Sequence, residues 1–159
     1  MTVEEKVMTN AFAGFVSAGT YDSVCGGKKL SVTDAKKNPA FALYMGNRQL
    51  FGARMGALWK ARHPEGTPEQ GLVSLIQTER SIAAKIAATL KEKGCDGAEG
   101  QDGKRMFELY SQAHPVKINA MLDQSIVKDG GKVTPPPTPE KKAGKDDDGA
   151  GKSAPATKQ

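Results

Sequence analysis

The 159-residue chain predicts an all-α fold: a four-helix bundle-like domain whose fourth helix is kinked or split at Pro115, with one disulfide and a disordered C-terminal tail. Three observations carry this reading. Apolar residues recur at three- and four-residue spacing through four long segments. Three of the four segments open on a capping or proline start signal. No stretch sustains the two-residue alternation of a half-buried strand.

The first segment opens at "TVEE", where Thr2 and Glu5 have the spacing of a capping box. Met8, Ala11, Phe12, Phe15 and Val16 follow on one face. Gly19 is the expected end of this helix, with "TYDSVC" able to add a turn before the Gly26–Gly27 break.

A second start signal is Asn38 followed by Pro39, because proline's missing N–H would be unpaired at that position anyway. Its stripe is Phe41, Tyr44, Met45, Phe51, Met55, Leu58 and Trp59, and Pro64 halts the helix near Arg62. The third helix combines Thr67 as cap, Pro68 at the first position and Gln70 to complete a box. Leu72, Leu75, Ile76, Ile82, Ala83, Ile86 and Leu90 mark its apolar face. Lys91 and Lys93 suit the negative end of its dipole, and Gly94 suits its termination. The fourth begins near Gly103, and Pro115 in its middle removes a backbone donor and crowds Ser111. "CDGAEGQDG" before it reads as a solvated loop. Its acidic residues lack the spacing of a calcium-binding hand.

The helical domain therefore spans about residues 2–133. From Thr134 to Gln159 there is no Leu, Ile, Val, Met or aromatic residue, and five of the nine prolines fall there. Such a segment cannot bury enough apolar surface to offset its ordering entropy, so disorder is expected over 134–159.

Only two cysteines are present, Cys25 after the first helix and Cys95 after the third. If the helices run up, down, up, down, both thiols reach the same pole. A disulfide closing that long loop stabilises a fold by about 4 kcal/mol on the chain-entropy account. Zinc would need two further N or S ligands, and only His63 and His114 exist, at different helix ends. A redox pair would favour Cys-x-x-Cys, which is absent. A disulfide places maturation outside the reducing cytosol, so a periplasmic or secreted protein is expected. The acidic N-terminus carries no apolar leader core, which implies a trimmed leader or, alternatively, a cytoplasmic protein. No stretch approaches the ~18 apolar residues of a membrane span.

The sequence offers no catalytic constellation. There is no nucleophile elbow, zinc-protease helix or phosphate loop, and both histidines sit beside prolines in turn or capping positions. No catalytic, cofactor or metal residue is therefore assigned. Two features of helices two and three stand out instead. Gly46, Gly52 and Gly56, with Ala53 and Ala57, imply close approach of a neighbouring helix or a binding surface, since a glycine in an exposed helix costs about 1 kcal/mol relative to alanine. Glu79 and Arg48 interrupt apolar stripes, which is costly unless they pair. They form an internal salt bridge, or else Tyr44, Arg48, Phe51, Arg54 and Glu79 line a partner surface.

The expected function is a non-enzymatic, extracytoplasmic module binding another protein, as an inhibitor, immunity factor or adaptor. One alternative is a bundle holding a small apolar ligand among Met45, Phe51, Met55 and Trp59. A basic nucleic-acid-binding protein is the other, permitted by the net charge of +5 and disfavoured by the lack of a dense basic stripe.

Overall fold

The computed structural model describes residues 1–135. Five helices, α1 (Val3–Val24), α2 (Pro39–Arg62), α3 (Pro68–Lys93), α4 (Ala98–Gln112) and α5 (Pro115–Lys128), build a bundle in which α4 and α5 together form the fourth, broken rod. The segment expected to be disordered lies outside the described residues except for Thr134 and Pro135.

The start signals act as local chemistry requires. Thr2 accepts from the Glu5 N–H at 3.1 Å while Glu5 accepts from the Thr2 N–H at 2.7 Å. Thr67 and Gln70 repeat the arrangement at α3. The Asn38 side chain caps α2 through the Phe41 N–H, and its amide also donates to the Lys29 and Val32 carbonyls, binding the preceding 3₁₀ turn to the helix. His114 caps α5, accepting from the Val116 N–H, with Pro115 at the first helical position.

Two boundaries differ from expectation. α1 does not end at Gly19 but continues to Val24. A Cβ at Gly19 would lie 2.4 Å from the Tyr44 hydroxyl oxygen, so this glycine admits the tyrosine rather than stopping the helix. α4 begins at Ala98, inside the expected solvated loop. A Cβ at Gly100 would sit 1.8 Å from the Cys95 carbonyl oxygen, and one at Gly103 would sit 2.7 Å from Tyr21 Cβ. These glycines let the first turns of α4 lie close against the disulfide loop and α1.

Contacts at both ends of each rod fix the directions. Phe15 stacks on Tyr44 at 4.6 Å and Glu5 pairs with Arg62, so α1 and α2 are antiparallel. Arg48 pairs with Glu79, and Trp59 lies against Gly71, so α3 runs with α1. α4 and α5 descend beside α1, from Gly103 at Tyr21 to Ile126 and Gly131 near Val3. α1 and α2 occupy one diagonal, each packing chiefly on α3 and α4. Aromatic rings bridge the diagonal: Phe51 lies 5.0 Å from Phe15 and 5.6 Å, edge-on, from Tyr110. Each such pair contributes about 0.5–1.5 kcal/mol beyond its buried area.

The break before Pro115 leaves carbonyls at the end of α4 without helical partners. Asn47, fully buried on α2, supplies them: its amide donates to the Tyr110 and Ala113 carbonyls, both at 3.0 Å. At the opposite side of that junction, Gly46 makes room for Pro115, whose Cγ lies 2.9 Å from where a Cβ would stand. The up-down-up-down course brings Cys25 and Cys95 together in a disulfide, with Cα atoms 5.8 Å apart across a separation of 70 residues.

Candidate functional site

Arg48 and Glu79 form a two-pronged ion pair between α2 and α3, with Nη2 to Oε1 at 2.8 Å and Nη1 to Oε2 as the second contact. The hydrogen bonds to Glu79 hold the Arg48 pKa above its ordinary value. Each charge therefore completes the other inside its apolar stripe, and the internal salt bridge is formed. Arg54 is also engaged within the bundle. It donates to Asn119 Oδ1 at 3.0 Å and Asp123 Oδ1 at 2.6 Å, and lies 3.5 Å from the buried Glu4 carboxylate.

Of the five residues expected to line a partner surface, two are buried aromatics and three are charged groups paired within the bundle. Phe51 is fully buried, and Tyr44 is packed between α1 and α2 with its hydroxyl over Gly19. Burial, then the nearby Glu79 carboxylate, raises the Tyr44 pKa well above the ordinary phenol range. The three charged members are committed to internal pairs. The aromatic members form the core because Phe12 and Phe15 of α1 and Tyr110 of α4 pack against them. Met45 and Met55 pack against the same core.

The histidines serve local structure. The His63 ring stacks on Trp59 at 4.5 Å, with Nδ1 2.9 Å from the Trp59 carbonyl oxygen, and His114 caps α5. Among the described residues no group of three or more His, Cys, Asp or Glu is placed to hold a metal ion, and no helix is long and apolar enough to cross a membrane.

A cleft of about 830 Å³ opens between α1 and α3 beside Tyr44 and Arg80. Its acidic groups are already used: Asp22 accepts from the Lys29 and Leu30 N–H groups at 2.7 and 2.9 Å, holding the 3₁₀ turn, and Glu79 holds Arg48. The second opening is different in kind. An apolar groove of about 620 Å³ runs between α2 and the first half of α3. Its floor is Gly52, Ala53, Gly56 and Ala57, and its far wall is Pro68, Leu72 and Leu75. Leu72 stands 57% exposed, although its spacing places it on the apolar face of α3.

Trp59 explains why the groove stays open. Its ring lies against Gly71, 3.0 Å from where a Cβ would stand, and against Gly66 at 2.3 Å. The indole is thereby a wedge between α2 and the start of α3. Upstream of the wedge a Cβ on Gly56 would meet nothing within 4 Å, and one on Gly52 would meet only Leu75 Cδ2 at 3.9 Å. The glycine series thus divides. Gly46 serves internal packing against Pro115, whereas Gly52 and Gly56 face open space.

Sequence reasoning reached these glycines and left their role open between packing and binding. It missed the wedge, for which the signal was Gly66 and Gly71 bracketing the α3 cap with no periodic role of their own. It also missed Asn47, whose partners lie 63 and 66 residues away. No protein-family model, curated protein or solved structure matches the chain.

Proposed function

We propose that the protein is a non-enzymatic, extracytoplasmic module that binds an apolar segment of another protein in the α2–α3 groove. The observation that carries this reading is the open floor at Gly52 and Gly56. In a water-facing helix two glycines each cost about 1 kcal/mol against alanine. Intramolecular packing does not account for them here, because neither side chain position is crowded. A smooth backbone floor between apolar walls suits an incoming main chain that must approach closely. Interfaces favour such shape complementarity around aromatic anchors, and Trp59 stands at the groove's end. The engagement of both histidines in stacking and capping, rather than beside a nucleophile, agrees with a binding role. The disulfide agrees with an oxidising compartment.

Selection from a random peptide library tests this. The intact protein retrieves peptides rich in apolar residues, and a Gly56→Phe variant, which fills the groove without touching the core, retrieves none of them. Equal recovery on both proteins rejects the groove. Trapping free thiols at harvest from the producing cell tests the compartment: two trapped sulfurs per chain would move the protein to the cytosol. The groove volume also falls in the range of small-molecule sites. Excess mass in native mass spectrometry, lost in Gly56→Phe, would favour that second reading.

A further inference from the structure

The cleft between α1 and α3 holds a hydroxyl with nothing to bond. Tyr44 reaches it from α2 with only 9% of its surface exposed, and Gly19 makes the room that its Oη occupies at the cleft wall. No group among the described residues hydrogen-bonds that oxygen. A buried hydroxyl without a partner is costly, and a polar group entering the cleft relieves it. Burial keeps the phenol protonated, so it is a donor. Two cations line the same cleft, Arg80 and Lys28, and neither forms an ion pair among the described residues. Of the two carboxylates there, Glu79 is neutralised by Arg48, and both oxygens of Asp22 are occupied by the Lys29 and Leu30 N–H groups. Lys28 adopts the left-handed conformation at φ 58°, alone among the described residues other than glycine. A glycine would take that position without strain; the lysine adds a cation to the cleft.

We propose that this cleft binds a small organic anion, a carboxylate with an apolar body, whose head meets Arg80, Lys28 and the Tyr44 hydroxyl. Ala83, Ala84 and Ala87 of α3 and Val16 of α1 supply apolar walls. Their short side chains leave about 830 Å³, within the range of small-molecule sites. An inorganic anion would use the cations and leave those walls in water, whereas an apolar body covers them. With Arg48 set against Glu79, the two cations face the single charge of Asp22. So small an excess suits a monoanion better than a phosphate dianion. The walls are fixed before any ligand arrives. The Cys25–Cys95 disulfide ties α1 to α3 beyond one end of the cleft, and the Arg48–Glu79 pair holds α3 at the other. A preformed site loses little conformational freedom on binding. It is separate from the α2–α3 groove, and neither reading depends on the other.

Two probes test the charge requirement: phenylbutyrate and the uncharged phenylbutanol, each titrated into the isotope-labelled full chain and followed by amide resonances. The carboxylate is expected to shift residues 16–24 and 79–87. It should bind about tenfold more tightly than the alcohol and weaken as salt is added. Tyr44→Phe keeps the ring and removes only the hydroxyl, which should weaken the carboxylate about three- to tenfold. Lys28→Gly combined with Arg80→Gln removes both cations and should weaken it about tenfold. The thermal midpoint of that double variant holds, because glycine suits the left-handed position, whereas a merely structural role would lower it. Equal affinity for acid and alcohol overturns the anion site. So does full affinity in either variant, or the absence of any shift at millimolar carboxylate. Shifts confined to Gly52, Gly56 and Leu72 also overturn it, by placing the probe in the other groove.

Discussion

Asn47 shows how one side chain can hold a broken rod together. Its amide donates to the Tyr110 and Ala113 carbonyls at the break between α4 and α5, from a fully buried position. An unsatisfied buried carbonyl costs about 1–3 kcal/mol. Asn47→Ala strands two of them and opens a small void. We expect a loss of about 2–4 kcal/mol in urea denaturation, with the slope of the transition unchanged. At the surface, Glu5 joins the α1 cap to the end of α2. The hydrogen bond from Arg62, reinforced by the Thr2 N–H, lowers its pKa from 4.5 to about 2. A carboxylate with a depressed folded-state pKa stabilises fully above its unfolded value and loses that contribution as pH falls through the folded one. The difference in thermal midpoint between wild type and Glu5→Gln is therefore constant above about pH 4.5. It shrinks on acidification and is lost as the pH falls through about 2. A difference that keeps its full size below that pH would mean the carboxylate is not what links the two helices. Of these residues the Arg48–Glu79 pair was legible beforehand, because a charge in an apolar stripe demands a partner. Asn47 was not, since one more polar residue in a helix has no distinguishing period.

At the scale of elements, the same residue type performs opposite tasks in one helix. Gly46 is required by Pro115, while Gly56 meets nothing. Gly56→Ala should stabilise the protein by about 1 kcal/mol through helix propensity alone. Gly46→Ala should destabilise it by about 1–3 kcal/mol through overpacking at the α4–α5 junction. Paired thermal denaturation of the two variants checks this, and equal effects in the same direction would contradict the division. Helix starts were readable almost to the residue, because caps and first-turn prolines act within four positions. Helix continuation through Gly19, and the early start of α4 over Gly100 and Gly103, were not. Those glycines answer to Tyr44, Cys95 and Tyr21, which lie elsewhere in the chain.

For the whole molecule, the disulfide ties the ends of α1 and α3 at one pole while the groove opens toward the other. Closing a 70-residue loop contributes about 4 kcal/mol by restricting the unfolded chain, reduced by any strain in the folded one. A Cys25→Ser, Cys95→Ser variant should keep its helical circular dichroism and lose about 3–4 kcal/mol of stability in urea. Thiol titration of the unfolded, unreduced wild type should return no reactive sulfur. Two reactive sulfurs would remove both the staple and the compartment argument. The groove keeps its shape because the Trp59 wedge and the Arg48–Glu79 pair hold α3 at two points.

The sequence by itself determined the helical class, the starts of α1, α2 and α3, the break at Pro115 and the pairing of the two cysteines. These follow from interactions within a turn or from the lack of any other partner. Only the tertiary structure decided which apolar residues became core and which glycines were filled. It alone separated a closed Gly46 from an open Gly52 and Gly56, because occupancy of a space depends on neighbours that local spacing does not name.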